Sequence, residues 1–131
     1  MCIYFYNDLT NMNTLIESKL VQNKTININH TEYLSRSLSA GKYIIITQAQ
    51  MSGGVSSGRI DFFVTVDSAP ETPISGGYST IPNNSNYASV SGTTYLELLT
   101  TRTTKMVSWA DEGGSGLTVL TAYWCIIKLN N

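Results

Sequence analysis

The chain has 131 residues, a formal net charge of −1 at pH 7 and only 13% charged residues, so Ser, Thr and Asn supply much of its polarity. Lys and Arg form no cluster, which argues against nucleic acid or an anionic membrane surface as a partner. The start, MCIYFYNDLT, lacks the basic region of a signal peptide, and no stretch approaches the ~20 apolar residues of a membrane span.

Residues 8–21 carry the only pattern that predicts a helix. Apolar residues recur there at spacings of three and four, which places them on one narrow stripe: Leu9, Met12, Ile16 and Leu20. A stripe this narrow does not cover a large sheet. We expect residues 1–24 to form an N-terminal segment whose helix either docks on one end of a β domain or ends a parallel helical stalk.

After Asn23 the hydrophobic pattern changes to a period of two, which predicts β-strands. Short strands are expected at 25–29 and 32–38. A core strand is expected over 43–51, and a half-buried antiparallel strand with alternating apolar residues over 59–67.

The longest irregular region is predicted at 68–91, which holds all three prolines of the chain. Three further strands are expected at 93–101, 104–110 and 117–129. About eight short strands with turn signals every ~8–12 residues predict an all-β antiparallel jelly-roll sandwich over residues 25–131.

In the last predicted strand, residues at odd and at even positions are both largely apolar, so both faces of the strand are expected to pack against other parts of the protein. The N-terminal helix could supply that cover. The alternative, which we favour, is packing of the outer face against copies of the same chain around a symmetry axis. The residues assigned to this oligomer interface are Leu120, Ala122, Trp124 and Ile126.

The order of these features resembles the trimeric jelly roll shared by tumour necrosis factor and complement-type domains. The resemblance covers about residues 25–129. It rests on the Gly41-Lys42-Tyr43 turn into a strand, on the Leu96-Glu97-Leu98 strand and on the hydrophobic terminal strand from Ala122 to Leu129. The chain departs from these domains in its AYWCII segment and in lacking an evident acidic pair for calcium.

The chain also resembles the tip domains of bacteriophage tail fibres and head fibres, which are similarly rich in Ser, Thr and Asn. This resemblance implies a homotrimer on the virion surface that assembles in the host cytoplasm with other virion proteins. It implies binding of a host cell-surface glycan or protein receptor.

Sequence patterns for catalysis are weak. The one histidine, His30, has no evident triad partners near it, and one His with two distant Cys does not complete a zinc site. No phosphate-binding glycine loop is present. We therefore expect no enzymatic activity, no cofactor and no metal.

The two cysteines lie near opposite ends of the chain, at positions 2 and 125. We expect two reduced thiols, with Cys125 packed as a small hydrophobic side chain. A disulfide between the two is the alternative.

Ligand binding has better support. Trp109 ends a predicted strand just before Asp111 and Glu112, and an aromatic ring beside carboxylates is suited to stacking and hydrogen bonding a sugar. Tyr78 and Tyr87, in the 68–91 region, would add flat faces. Trp109 lies two residues after Val107, so both side chains point to the same face of the strand. A place for Trp109 in the core is therefore an equal alternative.

Three functions follow. The first is the receptor-binding fibre-tip domain. The second is a structural capsid or tail decoration, or assembly module, that forms the same trimer without a ligand. The third and weakest is a small carbohydrate-active domain that uses Asp111 or Glu97 as its catalytic carboxylate.

Overall fold

A computed structural model of the chain describes residues 13–26, 29–52, 58–67, 72–81, 87–110 and 118–130. Within these residues the chain forms eight β-strands and no helix. The strands are β1 (Thr14–Thr25), β2 (Asn29–Leu38), β3 (Gly41–Ser52), β4 (Gly58–Val66), β5 (Thr72–Ile81), β6 (Tyr87–Leu98), β7 (Arg102–Ala110) and β8 (Thr118–Leu129).

The strands form two four-stranded antiparallel sheets. The first sheet has the order β1-β8-β3-β6, and the second has the order β2-β7-β4-β5. Consecutive strands alternate between the sheets for much of the chain, so most connections cross from one sheet to the other. This arrangement confirms the predicted all-β antiparallel jelly-roll sandwich.

The core lies between the two sheets. Strand β3 contributes the side chains that its alternation predicted, since Tyr43, Ile45, Ala49 and Met51 are all buried. Strand β4 faces them with three buried apolar side chains: Ile60, Phe62 and Val64. Each fully buried side chain of this size stabilises the fold by about 1.5–3 kcal/mol, which explains why the two inner faces associate.

The turn between β2 and β3 depends on a glycine. Gly41 has a φ of 154°, and a Cβ atom there would lie 2.8 Å from Cε of Lys128. Just beyond it, the hydroxyl of Tyr43 donates a hydrogen bond to the carbonyl of Ser39 at 2.8 Å. The Gly41-Lys42-Tyr43 turn therefore combines close backbone packing with a side-chain bond back across the turn.

The predicted helix over 8–21 is wrong for its described part, because Thr14–Thr25 is strand β1 and pairs with β8. A register shift between Leu15 and Glu17 lets both Ile16 and Val21 pack against the core. Of the predicted helical stripe, the two described residues lie on opposite faces of this strand, since Ile16 packs against the core and Leu20 is exposed on the other side. Residues 8–12 lie outside the described part.

The orientation assigned to the last strand is also wrong. Ala122, Trp124 and Ile126 were placed on an oligomer interface, but they are fully buried in the core between the sheets. Leu120 lies at a register shift, since Gln50 pairs with Thr121 and Met51 with Val119. Because of this bulge, the inward-facing residues change from odd positions before it to even positions after it. The indole of Trp124 fills the space between the sheets.

Two strand predictions need correction. The region 68–91 was expected to be irregular, yet it contains all of β5 and the start of β6. Its alternation is weak because β5 includes Pro73, Gly76 and Gly77. The stretch 25–29 was expected to be one strand, but it spans the end of β1 and the first residue of β2.

Cys125 is buried as expected, but it is disulfide-bonded. The expectation of a reduced thiol is therefore wrong for this residue. Cys2, the other cysteine of the chain, lies outside the described residues.

Candidate functional site

Trp109 lies on the outer face of the second sheet. Its neighbours in β7, Ser108 and Ala110, are buried, whereas 40% of the Trp109 surface is exposed to solvent. The alternative that Trp109 belongs to the core is therefore wrong. Asp111 and Glu112, predicted to act with it, lie outside the described residues.

The strand register places other polar residues beside Trp109. His30 of β2 is its partner on one side, and Asp61 of β4 is its partner on the other. Tyr78 of β5 is the next position along, opposite Asp61. We call His30, Trp109, Asp61 and Tyr78 the Trp109 row. The strand register thus places two of the predicted ligand residues, Trp109 and Tyr78, in one row, two strands apart.

Tyr87 does not join this row. It is the first residue of β6, in the first sheet, and pairs with Ser52. Of the five predicted ligand residues, the described part of the structure therefore brings only Trp109 and Tyr78 into one cross-strand row.

The Trp109 row combines the groups that carbohydrate recognition uses. An exposed indole offers a flat apolar surface for a sugar ring, and a carboxylate accepts hydrogen bonds from hydroxyl groups. Asp61 is 8% exposed, so a ligand on the sheet surface reaches only a small part of this residue. Sequence reasoning missed Asp61 and His30 as ligand residues, because only the strand pairing shows that they flank Trp109.

A buried hydrogen bond lies beneath the row. The Tyr33 hydroxyl and Oγ of Ser108, the residue before Trp109, are 2.7 Å apart. Burial raises the pKa of Tyr33, and hydrogen bonds with Ser108 and Thr31 partly oppose this increase. This contact fixes β7 to β2 directly behind Trp109.

The first sheet has a different outer face. Residues that alternate with its core positions point away from the second sheet, and among them is a group of large apolar side chains. We call this surface the outer apolar face: Leu20, Ile44, Ile46, Tyr95, Tyr123 and Ile127. Leu20 and Tyr95 are exposed, the side chains from β3 and Tyr123 are half-buried, and Ile127 is buried.

Most of these side chains lie in two cross-strand rows of the sheet. Ile44 pairs with Tyr95 on one side and with Ile127 on the other, and Leu20 pairs with Tyr123. Exposed apolar patches of this kind mark interaction surfaces in globular proteins.

The described residues include no group of three or more His, Cys, Asp or Glu side chains placed to hold a metal ion. None of the described segments forms a helix of the length and apolarity needed to cross a membrane.

Comparison with solved structures identifies a similar fold. The chain is similar to the globular domain of the zebrafish complement 1qA protein, with 18% sequence identity and a TM-score of 0.58. The alignment covers 87% of this chain and 96% of the zebrafish domain. No protein-family model and no curated protein sequence matches the chain. The similarity shows that the two share the complement-type jelly-roll fold.

Proposed function

We propose that this chain is a non-enzymatic binding domain that assembles as a homotrimer through its outer apolar face. The observation that carries the proposal is that the first sheet has large apolar side chains on its outer side as well as on its core side. One side forms the core, and the other exposes Leu20 and Tyr95 beside half-buried Ile44 and Ile46. Further copies of the chain present the same apolar side chains and would bury this face on association. The resemblance to trimeric jelly rolls favours three copies.

The ligand we propose is a carbohydrate bound at the Trp109 row. Stacking on Trp109 would hold the sugar ring, and Asp61 and His30 would supply polar contacts at its edge. The Ser-, Thr- and Asn-rich composition with 13% charged residues supports the finer proposal of a receptor-binding domain at a bacteriophage surface.

The trimer is tested by light scattering on the wild-type chain and on Ile44→Glu. The wild type should have three times the 14.4 kDa mass of one chain. In the variant, like charges meet in the interface, so the mass should fall to that of one chain. Trp109→Glu is the control, since it adds the same charge to the outer face of the other sheet and should remain trimeric. A monomeric wild type would refute the trimer.

The ligand is tested by a glycan array probed with the wild type, Trp109→Ala and Trp109→Phe. Binding should be lost in the Ala variant and partly kept in the Phe variant, because a phenyl ring retains a stacking surface. Leu99→Ala, which removes an exposed apolar side chain elsewhere, should bind as the wild type does. A trimer that binds no glycan would favour the structural decoration instead.

A further inference from the structure

A cleft lies at the other end of β7 from Trp109. It is an open cleft of about 420 Å³ between the end of β4, the end of β6 and the start of β7. Small-molecule sites in proteins span roughly 300–1,000 Å³, so the cleft has room for a small organic ligand. It shares no residue with the Trp109 row, and its role does not rest on the proposed function.

The cleft has an apolar lining. Leu96 and Leu98 are buried and belong to the edge of the core, and Val66 packs against the same core. Leu99, in the turn between β6 and β7, is 86% exposed at the cleft. A leucine this exposed beside an apolar lining would bury its surface against the hydrocarbon part of a ligand.

The charged residues of the cleft have a negative balance. Asp67 and Glu97 carry carboxylates, and Arg102 carries a guanidinium, so the three sum to −1. Nη1 of Arg102 lies 3.9 Å from Oδ1 of Asp67, and both side chains are about half exposed. An ion pair this long and this exposed contributes ~0–1 kcal/mol, so a ligand cation could compete for the carboxylate at little cost.

The position of Asp67 is fixed by the backbone. Its N–H donates a hydrogen bond of 2.7 Å to the carbonyl of Thr103 in β7. On the opposite wall, the hydroxyl of Tyr95 donates to Oε2 of Glu97 at 3.4 Å. The backbone at Asp67 is therefore held in place before any ligand arrives, which reduces the entropy lost on binding.

We propose that this cleft binds a small amphipathic cation, such as a primary aliphatic amine, with its hydrocarbon chain on the leucine lining and its ammonium group near Asp67 and Glu97. Because the cleft has an apolar lining and one carboxylate in excess, it should bind such a cation more tightly than neutral or anionic ligands of the same size.

The test is an NMR titration of the full chain with three probes of equal length: hexylamine in its cationic form, hexanol and hexanoate. Hexylammonium should shift the amide resonances of residues 96–102 and bind about tenfold more tightly than hexanoate, which corresponds to about 1.4 kcal/mol. Hexanol should lie between the two. Added salt should weaken binding of hexylammonium and leave hexanol unchanged.

Two variants test whether the carboxylates of the cleft, and not its apolar lining alone, determine which probe binds most tightly. The double variant Asp67→Asn, Glu97→Gln should bind the three probes with similar affinity, whereas Glu32→Gln, which removes one carboxylate outside the cleft, should behave as the wild type. Equal affinity of the wild type for all three probes would overturn the proposal. Tighter binding of hexanoate, or shifts that map to residues outside the cleft, would overturn it as well.

Discussion

The two sheets share one core but differ in what they bury. In the second sheet five polar side chains are buried within the described residues: Thr31, Asp61, Thr65, Thr104 and Ser108. The buried side chains described in the first sheet are all hydrophobic. The second sheet therefore needs hydrogen-bond partners for buried hydroxyl groups and a carboxylate. The first sheet buries mainly apolar surface, and the polar tips of its buried Tyr43 and Trp124 bond to Ser39 and Glu17.

The largest effect is expected at the centre of the first sheet. Trp124→Ala removes a fully buried indole and should lower the free energy of unfolding by about 3–5 kcal/mol, because it leaves a large cavity. Urea denaturation followed by circular dichroism measures this loss.

Trp109→Ala is the matched control for that change. The same substitution at a site that is 40% exposed should cost less than about 1 kcal/mol. Similar losses in the free energy of unfolding for both variants would contradict the placement of Trp124 in the core and of Trp109 on the surface.

A smaller loss is expected where the second sheet buries hydroxyl groups. Tyr33→Phe leaves the buried Oγ of Ser108 without its 2.7 Å partner and should cost about 1–3 kcal/mol. Tyr95→Phe is the control, since it removes an exposed hydroxyl whose contact with Glu97 is 3.4 Å long, and it should have little effect. Equal losses would contradict the importance of burial.

The same tyrosine predicts a pH dependence. Burial raises the pKa of Tyr33 above its ordinary value of 10.0, so the folded state resists its ionisation. The stabilisation from this group is complete below pH 10.0, and it is lost as pH rises through the folded pKa. Stability measured from neutral to alkaline pH should fall less steeply in Tyr33→Phe than in the wild type.

The sequence was sufficient for the strands that alternate clearly. Strand β4 shows why, because Ile60, Phe62 and Val64 recur at a period of two and are all buried. Strand β1 was missed because a bulge near Ile16 broke its period, and local pattern does not encode the pairing with β8 that makes it a strand. Strand β5 was missed because proline and glycine dilute its pattern.

The site was harder to predict than the fold. The sequence singled out Trp109, but it offered Asp111 and Glu112 as partners because they are adjacent in the chain. Asp61 and His30 flank Trp109 only through strand register, which joins positions that are distant in sequence. Likewise, both parities of β8 are apolar, so the sequence alone could not decide whether Trp124 points inward.

One substitution at a buried hydroxyl of the second sheet is expected to raise the free energy of unfolding instead of lowering it. Oγ1 of Thr65 is buried and has no hydrogen-bond partner among the described residues. Thr65→Val keeps the shape and removes the unsatisfied oxygen, so it should raise the free energy of unfolding by up to about 1 kcal/mol.

Thr104→Val is the matched comparison in the same sheet. Oγ1 of Thr104 donates a 3.0 Å hydrogen bond to the carbonyl of Arg36, so this variant should be less stable than the wild type. If both valine variants lost stability equally, Thr65 would not be the unsatisfied group that its surroundings indicate.

The smallest effect is expected for the charges on the outer face of the second sheet. Nζ of Lys105 and Oε2 of Glu32 form a 3.2 Å ion pair that remains partly exposed. Glu32→Gln should change the free energy of unfolding by less than about 1 kcal/mol, and added salt should reduce even that difference. A loss as large as that of Tyr33→Phe would mean that surface charge, and not buried hydroxyl groups, distinguishes the second sheet from the first.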